Sequence, residues 1–125
     1  MILGTGIDFI EVARIEASFQ KFGDRFLQRI LRPAEIAYCL SHKKPGPFLA
    51  ARFSAKEAIS KAFGTGIGEQ LGWQDMEVGR KASGEPFVIL HDNGQKLLQQ
   101  HGARIVHLSL THTDQHASAV AILES

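Results

Sequence analysis

The chain is 125 residues long, with 44% hydrophobic, 22% charged and 8% aromatic residues, the composition of one globular core, which excludes a disordered segment or a multidomain machine. Its formal net charge is only +1, but residues 14–61 hold ten bases (Arg14, Lys21, Arg25, Arg29, Arg32, Lys43, Lys44, Arg52, Lys56 and Lys61) against four acids (Glu16, Asp24, Glu35 and Glu57). That segment is +6 and the remainder, four bases and nine acids, is −5, a split that points to an acidic or phosphorylated partner for one surface.

Residues 2–9 alternate as a strand, with Leu3, Thr5, Ile7 and Phe9 on one face and Ile2, Gly4, Gly6 and Asp8 on the other. The glycines strip bulk from the second face, so open space is expected above the Asp8 carboxylate. The period then changes: Val12, Ile15, Phe19 and Phe22 recur at helical spacing until Gly23 stops them. A second line on this helix, Arg14, Ser18 and Lys21, continued by Arg25, is polar and basic and faces away from the apolar stripe. Shorter helices are expected over 24–31 and, with Pro33 at a first helical position, over 33–41. The longest helix runs from Pro47 to Phe63, with Ala51, Ala55, Ala58, Ile59, Ala62 and Phe63 on one face and Gly64 just past its end. Glu57 and Lys61 lie one turn apart on the opposite side, with Phe53 and Ser60. Residues 75–78 and 87–90 read as strands joined by a turn containing Gly84 and Pro86. Asp92 caps a helix over 95–100, and 105–110 with 117–123 form a closing hairpin. The fold class is α+β, with helices early and a mostly antiparallel sheet late, in one domain spanning 1–125.

Cys39 is the only cysteine, which excludes an intrachain disulfide and a cysteine-rich zinc site and fits a reducing compartment. No apolar run approaches the ~20 residues of a membrane helix, and no signal-peptide pattern opens the sequence, so a cytoplasmic chain is expected. Read singly, the candidate chemical residues have ordinary explanations. Asp8 is a strand-end or capping carboxylate, or else a hard-cation ligand. Glu57 and Lys61 form an i,i+4 surface pair worth ~0.3–0.5 kcal/mol. The run Gly64-Thr65-Gly66-Ile67-Gly68 follows a helix and lacks Gly-Lys-Ser/Thr, so neither phosphate-loop nor dinucleotide fingerprint applies. His107, His112 and His116 make a weak zinc pattern. No Gly-x-Ser-x-Gly elbow exists, and Cys39 lies mid-helix without a partner, so acyl-enzyme chemistry is not indicated.

Three stretches taken jointly say more. Gly6-Ile7-Asp8 is followed by Arg14. Phe53-Ser54-Ala55-Lys56-Glu57-Ala58 runs through Lys61 to Gly64-Thr65-Gly66 and matches the pattern WxxKEAxxKxxGxG, with Phe in place of Trp. The Gly84-x-Pro86 turn precedes Ser109-Leu110-Thr111-His112. In this order and at these separations they resemble the holo-(acyl-carrier-protein) synthases, the small bacterial 4′-phosphopantetheinyl transferases. The Ser-Leu-Thr-His segment departs from the Ser-x-Ser-His of larger relatives.

The resemblance implies a 4′-phosphopantetheinyl transferase-like fold. It implies transfer of the 4′-phosphopantetheine arm of coenzyme A to a serine of apo acyl carrier protein, with release of adenosine 3′,5′-bisphosphate, in fatty acid biosynthesis. Asp8 and Glu57 would hold Mg2+, and Lys61 would face the same phosphates, the three together being catalytic. The attacking serine's proton would pass to Asp8, Glu57 or a metal-bound water. Arg52, Lys56 and the Gly64–Gly66 backbone would contact coenzyme A phosphates, with Lys43 and Lys44 as looser candidates. Gly84, Pro86, His107, Ser109 and His112 would border the nucleotide from a neighbouring subunit. Arg14, Ser18, Lys21 and Arg25 would receive the acidic carrier protein, extended by Arg29 and Arg32. The family's small members assemble as trimers with clefts between subunits, which suits a chain too short to enclose coenzyme A alone. Neither nucleic acid nor membrane is expected as a partner. The competing classes are a non-catalytic coenzyme A-binding subunit and a nucleic-acid-binding module.

Overall fold

The computed structural model describes residues 1–125. Strand β1 (Ile2–Glu11) runs directly into helix α1 (Val12–Phe22). Gly23, at φ +63°, makes the turn into α2 (Asp24–Ile30), a backbone conformation that costs a residue with a Cβ. Helix α3 (Pro33–Leu40) opens on its proline, and the Glu35 carboxylate accepts the Arg32 amide at 2.8 Å. Helix α4 (Gly46–Phe63) is followed by a short 3-10 turn (Trp73–Asp75), the hairpin β2 (Met76–Arg80) and β3 (Pro86–Leu90), helix α5 (Asn93–Gln100), and the hairpin β4 (Ile105–His112) and β5 (His116–Glu124). Asp92 precedes α5 at φ +45°, but its side chain makes no capping bond. The expected cap is therefore only a change of backbone direction.

The strands form a three-stranded antiparallel sheet in the order β1-β5-β4, and β2 and β3 pair by themselves. Helix α4 lies on one face of the larger sheet, and the glycines of β1 are the reason it can. A Cβ on Gly4 would collide with the Ala62 carbonyl oxygen, and one on Gly6 with that of Ala58. The space expected above the glycine face is thus filled by helix backbone, and small residues on both elements bring them into close contact. Most of α4's 18 residues are buried; the four that are not are Phe48, Phe53, Glu57 and Lys61. It has no broad polar side, only the one open line of Phe53, Glu57 and Lys61, with Phe48 apart from it.

Two apolar clusters flank this helix. One joins Ile59 and Phe63 to Met76, Leu97 and Leu123; the other joins Leu49 to Ile15, Leu27 and Ile30. Each large side chain fully withdrawn from water contributes ~1.5–3 kcal/mol. The far face of the large sheet meets nothing: Ile7 and Phe9 are each 66% exposed, and Leu3, Val120 and Ile105 are also open. Phe22, expected on the buried stripe of α1, is exposed at the helix end. No helix is long and apolar enough to cross a membrane.

Candidate active site

Asp8 sits on the α4 side of β1, and α4 determines its surroundings. The hydroxyl of Ser54, one turn before Glu57, donates to Asp8 Oδ2 at 2.9 Å. Lys61 donates to Oδ1 at 3.3 Å and to the Ile7 carbonyl at 2.9 Å. From β5, the Ser118 hydroxyl donates to the Asp8 carbonyl at 2.8 Å. The expected Glu57–Lys61 ion pair does not form, because the ammonium turns to Asp8 instead. Glu57 lies beside this pair. Burial pushes its carboxyl above the usual range and the Asp8 charge pushes it further, while Lys61 and Arg14 pull the other way. Glu57 therefore feels the charges of Asp8, Lys61 and Arg14, and through Arg14 the basic line of α1 acts on the site.

Two carboxylates held near each other at a rim suit a hard divalent cation. No group of three or more His, Cys, Asp or Glu is arranged to hold a metal, so a cation here would complete its shell with water or phosphate oxygens, the habit of Mg2+ rather than of a structural metal. The zinc pattern dissolves: His107 pairs with Glu124 at 2.8 Å, His112 packs against the Phe48 ring at 4.8 Å, and His116 stacks on Phe9 at 5.0 Å. That hydrogen bond from His107 pulls the Glu124 carboxyl down. The Cys39 thiol is pushed up to about 11 by burial, which leaves it a poor nucleophile at neutral pH.

A second polar site lies elsewhere on α4. Glu57 is five positions on from Arg52, about 140° around the helix axis at roughly 100° per residue. Arg52 opens, together with Arg80, Gly84, Pro86 and His112, into a cavity of about 160 Å³. Arg52 is only 3% exposed, its Nε has no hydrogen-bond partner, and its guanidinium sits 4.2 Å from the Tyr38 ring centre. A buried cation without an acceptor is a standing demand for an anion. The structure thus gathers Arg52, Gly84, Pro86 and His112 round one cavity of a single chain, where the resemblance had placed Gly84, Pro86 and His112 on a neighbouring subunit. It adds Arg80 and Tyr38, for which the only sequence signal was a base placed just before the Gly84 turn.

Two other expected contacts, those of Lys56 and of the Gly64–Gly66 backbone, are corrected. Lys56 is fully buried; its ammonium donates to Ile30 O (2.7 Å), Glu35 Oε1 (2.8 Å) and Trp73 O (3.1 Å), so it has no donor left for coenzyme A. The amides of Gly64 and Gly66 are consumed at the end of α4, bonding to the Lys61 and Ser60 carbonyls. The glycines shape the helix terminus and offer no phosphate-binding N–H. His107 and Ser109 occupy the open face of the large sheet, opposite in parity to His112, and so lie apart from the Arg52 cavity.

The basic line is only partly one surface. Ser18, Lys21 and Arg25 line a groove of about 740 Å³ between α1 and α2 with Phe22, Phe26 and Arg29, and Lys21 lies 5.2 Å from the Phe22 ring centre. Arg14 is not among them; its charge instead acts on the Glu57 carboxyl. Phe22 was unforeseen as a surface feature, since its spacing had read as core; Phe26 is half-buried and packs against the second cluster.

Fold and sites together describe an α+β protein built round one buried helix. That helix carries a carboxylate–lysine cluster suited to a hard cation on one side and an unpaired guanidinium suited to a phosphate on the other. A family model described as the 4′-phosphopantetheinyl transferase superfamily matches residues 4–121. A holo-[acyl-carrier-protein] synthase of Koribacter versatilis is 52% identical over 124 residues, covering 99% of this chain and 99% of that protein. The structure of a holo-[acyl-carrier-protein] synthase from Neisseria meningitidis superimposes with a TM-score of 0.92 at 35% identity, covering 100% of both chains. One from Bacillus anthracis, in complex with CoA (3′,5′-ADP), gives 0.84 at 40% identity, covering 100% of this chain and 98% of that one. The chain belongs to the 4′-phosphopantetheinyl transferase superfamily.

Proposed function

We propose that this chain is a holo-(acyl-carrier-protein) synthase, moving the 4′-phosphopantetheine arm of coenzyme A to a serine of apo acyl carrier protein and releasing adenosine 3′,5′-bisphosphate. The observation that carries the reading is the cluster that Asp8 of β1 forms with Glu57 and Lys61 on the one open line of α4, in a chain that resembles such synthases along nearly its whole length. In the transfer, the serine oxygen bonds to the phosphorus bearing the pantetheine arm as the bond from that phosphorus to the nucleotide's phosphate oxygen breaks. The serine proton passes to Asp8, Glu57 or a water beside them. Lys61, free to swing from Asp8, stabilises charge on the phosphate oxygens. Asp8 and Glu57 would hold Mg2+, which when bound neutralises the pyrophosphate.

The Arg52–Arg80–His112 cavity takes another phosphate of coenzyme A. Because it faces about 140° away from Glu57 around α4, one coenzyme A is served by the carboxylate cluster of one copy and the cavity of the next. The open apolar face around Ile7, Phe9 and Val120 supplies the contact between copies, with a trimer as the expected assembly. The groove of Lys21, Arg25 and Arg29 receives the acidic carrier protein, its two phenylalanines seating an apolar side chain. The whole chain then acts as one transferase domain in cytoplasmic fatty acid biosynthesis.

Mass spectrometry of apo carrier protein incubated with the chain, coenzyme A and Mg2+ tests the reading. A phosphopantetheine mass gain on the carrier is expected; no gain with several carrier proteins overturns it.

A further inference from the structure

Arg52 poses a question that its own neighbours answer. Its guanidinium carries five donors and stays charged at any working pH. It is 3% exposed, its Nε lacks an acceptor, and it forms no ion pair with a carboxylate. Arg80, which lines the same cavity, is likewise without a carboxylate partner, so two like charges face one small space. One group is common to both: the Arg52 Cζ lies 4.2 Å and the Arg80 Cζ 4.9 Å from the centre of the Tyr38 ring. A ring face carries negative potential, and it attracts a guanidinium most where water is excluded.

The ring itself is braced. Its edge meets His42 at 4.9 Å and Phe48 at 6.0 Å, and Phe48 in turn packs on His112 at 4.8 Å, which also lines the cavity. The hydrogen bond that Tyr38 receives from Ser41 Oγ, at 2.6 Å, goes to its backbone carbonyl and not to its hydroxyl. The side chain therefore works through its ring.

We propose that Tyr38 is a positioning residue for coenzyme A, its ring holding Arg52 and Arg80 together as a paired guanidinium clamp on a phosphate group. The inference rests on the reading of this cavity as a phosphate site. The ring offsets the repulsion between the two cations without neutralising either, which a carboxylate in its place would do, so both charges stay available to the ligand.

Calorimetric binding of coenzyme A and steady-state kinetics on the full chain test this with Tyr38→Phe, Tyr38→Leu and Arg52→Met. Tyr38→Phe should bind and turn over as the parent does. Tyr38→Leu should weaken coenzyme A binding and raise its KM by roughly five- to thirtyfold, the range of a desolvated cation–ring contact. Its kcat and its KM for carrier protein should stay unchanged. If Arg52→Met weakens binding while Tyr38→Leu does not, the clamp is refuted and the phosphate cavity stands. If Arg52→Met binds normally, the cavity reading falls and takes the clamp with it. Phenylalanine carrying one, two or three ring fluorines at position 38 keeps the shape while draining the ring's negative face. Coenzyme A affinity should fall stepwise with fluorination, and affinity indifferent to fluorination overturns the proposal even if the leucine variant does not fold.

Discussion

Replacing Lys56 with methionine removes an ammonium from a site where both it and its partner Glu35 have no exposed side-chain surface. The ammonium gives up acceptors at 2.7, 2.8 and 3.1 Å. Glu35 keeps only the amides of Arg32, at 2.8 Å, and Val78, at 3.0 Å, and becomes a buried charge without a counterion. Burial already pushes the Lys56 pKa down and the Glu35 charge holds it up, so each member of the pair depends on the other. Removing one partner of such a pair costs about 3–5 kcal/mol, equivalent to a fall in Tm of about 10–20 °C for a chain of this length. Thermal unfolding followed by circular dichroism reads this directly. The double variant Lys56→Met with Glu35→Leu should recover much of the loss, because an apolar pair of similar volume can replace a buried ion pair. The reasoning fails if Lys56→Met melts like the parent while its KM for coenzyme A rises, since that would put the ammonium on the ligand and not in the core.

Asp8→Asn should lower kcat for transfer by on the order of 10²–10³ with little change in KM for carrier protein, read by a mass-shift assay; parent-like rates would remove Asp8 from the chemistry. Glu57 has a folded-state pKa above its unfolded value, so the folded chain holds that proton more tightly, and stability falls as pH rises from the unfolded pKa through the folded one. Glu57→Gln should abolish this slope in a Tm–pH series and leave the chain more stable than the parent above the folded pKa, while added Mg2+ raises Tm in the parent but not in the variant. An identical pH slope in both proteins would refute the proposed charge crowding. Lys21→Glu with Arg25→Glu should raise the KM for carrier protein roughly tenfold or more and flatten its dependence on salt, with the calorimetric Kd for coenzyme A unchanged. Phe9→Arg on the open sheet face should shift the chain to a monomer in light scattering, and transfer should be lost with the assembly; a monomeric parent would refute the shared site.

Much of the scaffold is legible from local pattern. The switch from period two to period 3.6 at Val12, the glycine stops at Gly23 and Gly64, and the Pro33 start all reappear as element boundaries, because they depend on a residue and its near neighbours. The spacing of Glu57 and Lys61 likewise places them on one line of α4, whatever surrounds it. Period two also separates His112 from His107 and Ser109, a distinction that grouping them as one segment overlooks.

Other features depend on partners far along the chain. Lys56 and Arg52 are both basic residues on the same helix, yet one meets the oxygens of Ile30, Glu35 and Trp73, and the other meets only an aromatic ring. Nothing in their local sequence distinguishes a buried structural cation from one held in reserve for a ligand. Gly4 and Gly6 announce an absence of bulk, but packing against Ala58 and Ala62 decides that helix backbone, not ligand, fills it. Ile7 and Phe9 alternate like any core-facing pair, and they are left bare because α4 covers the other side of their sheet. Local pattern encodes which way a side chain points along its own element. Whether it then finds an acceptor, a helix or water is decided by long-range packing, and in this chain that decision separates the core charges from the site.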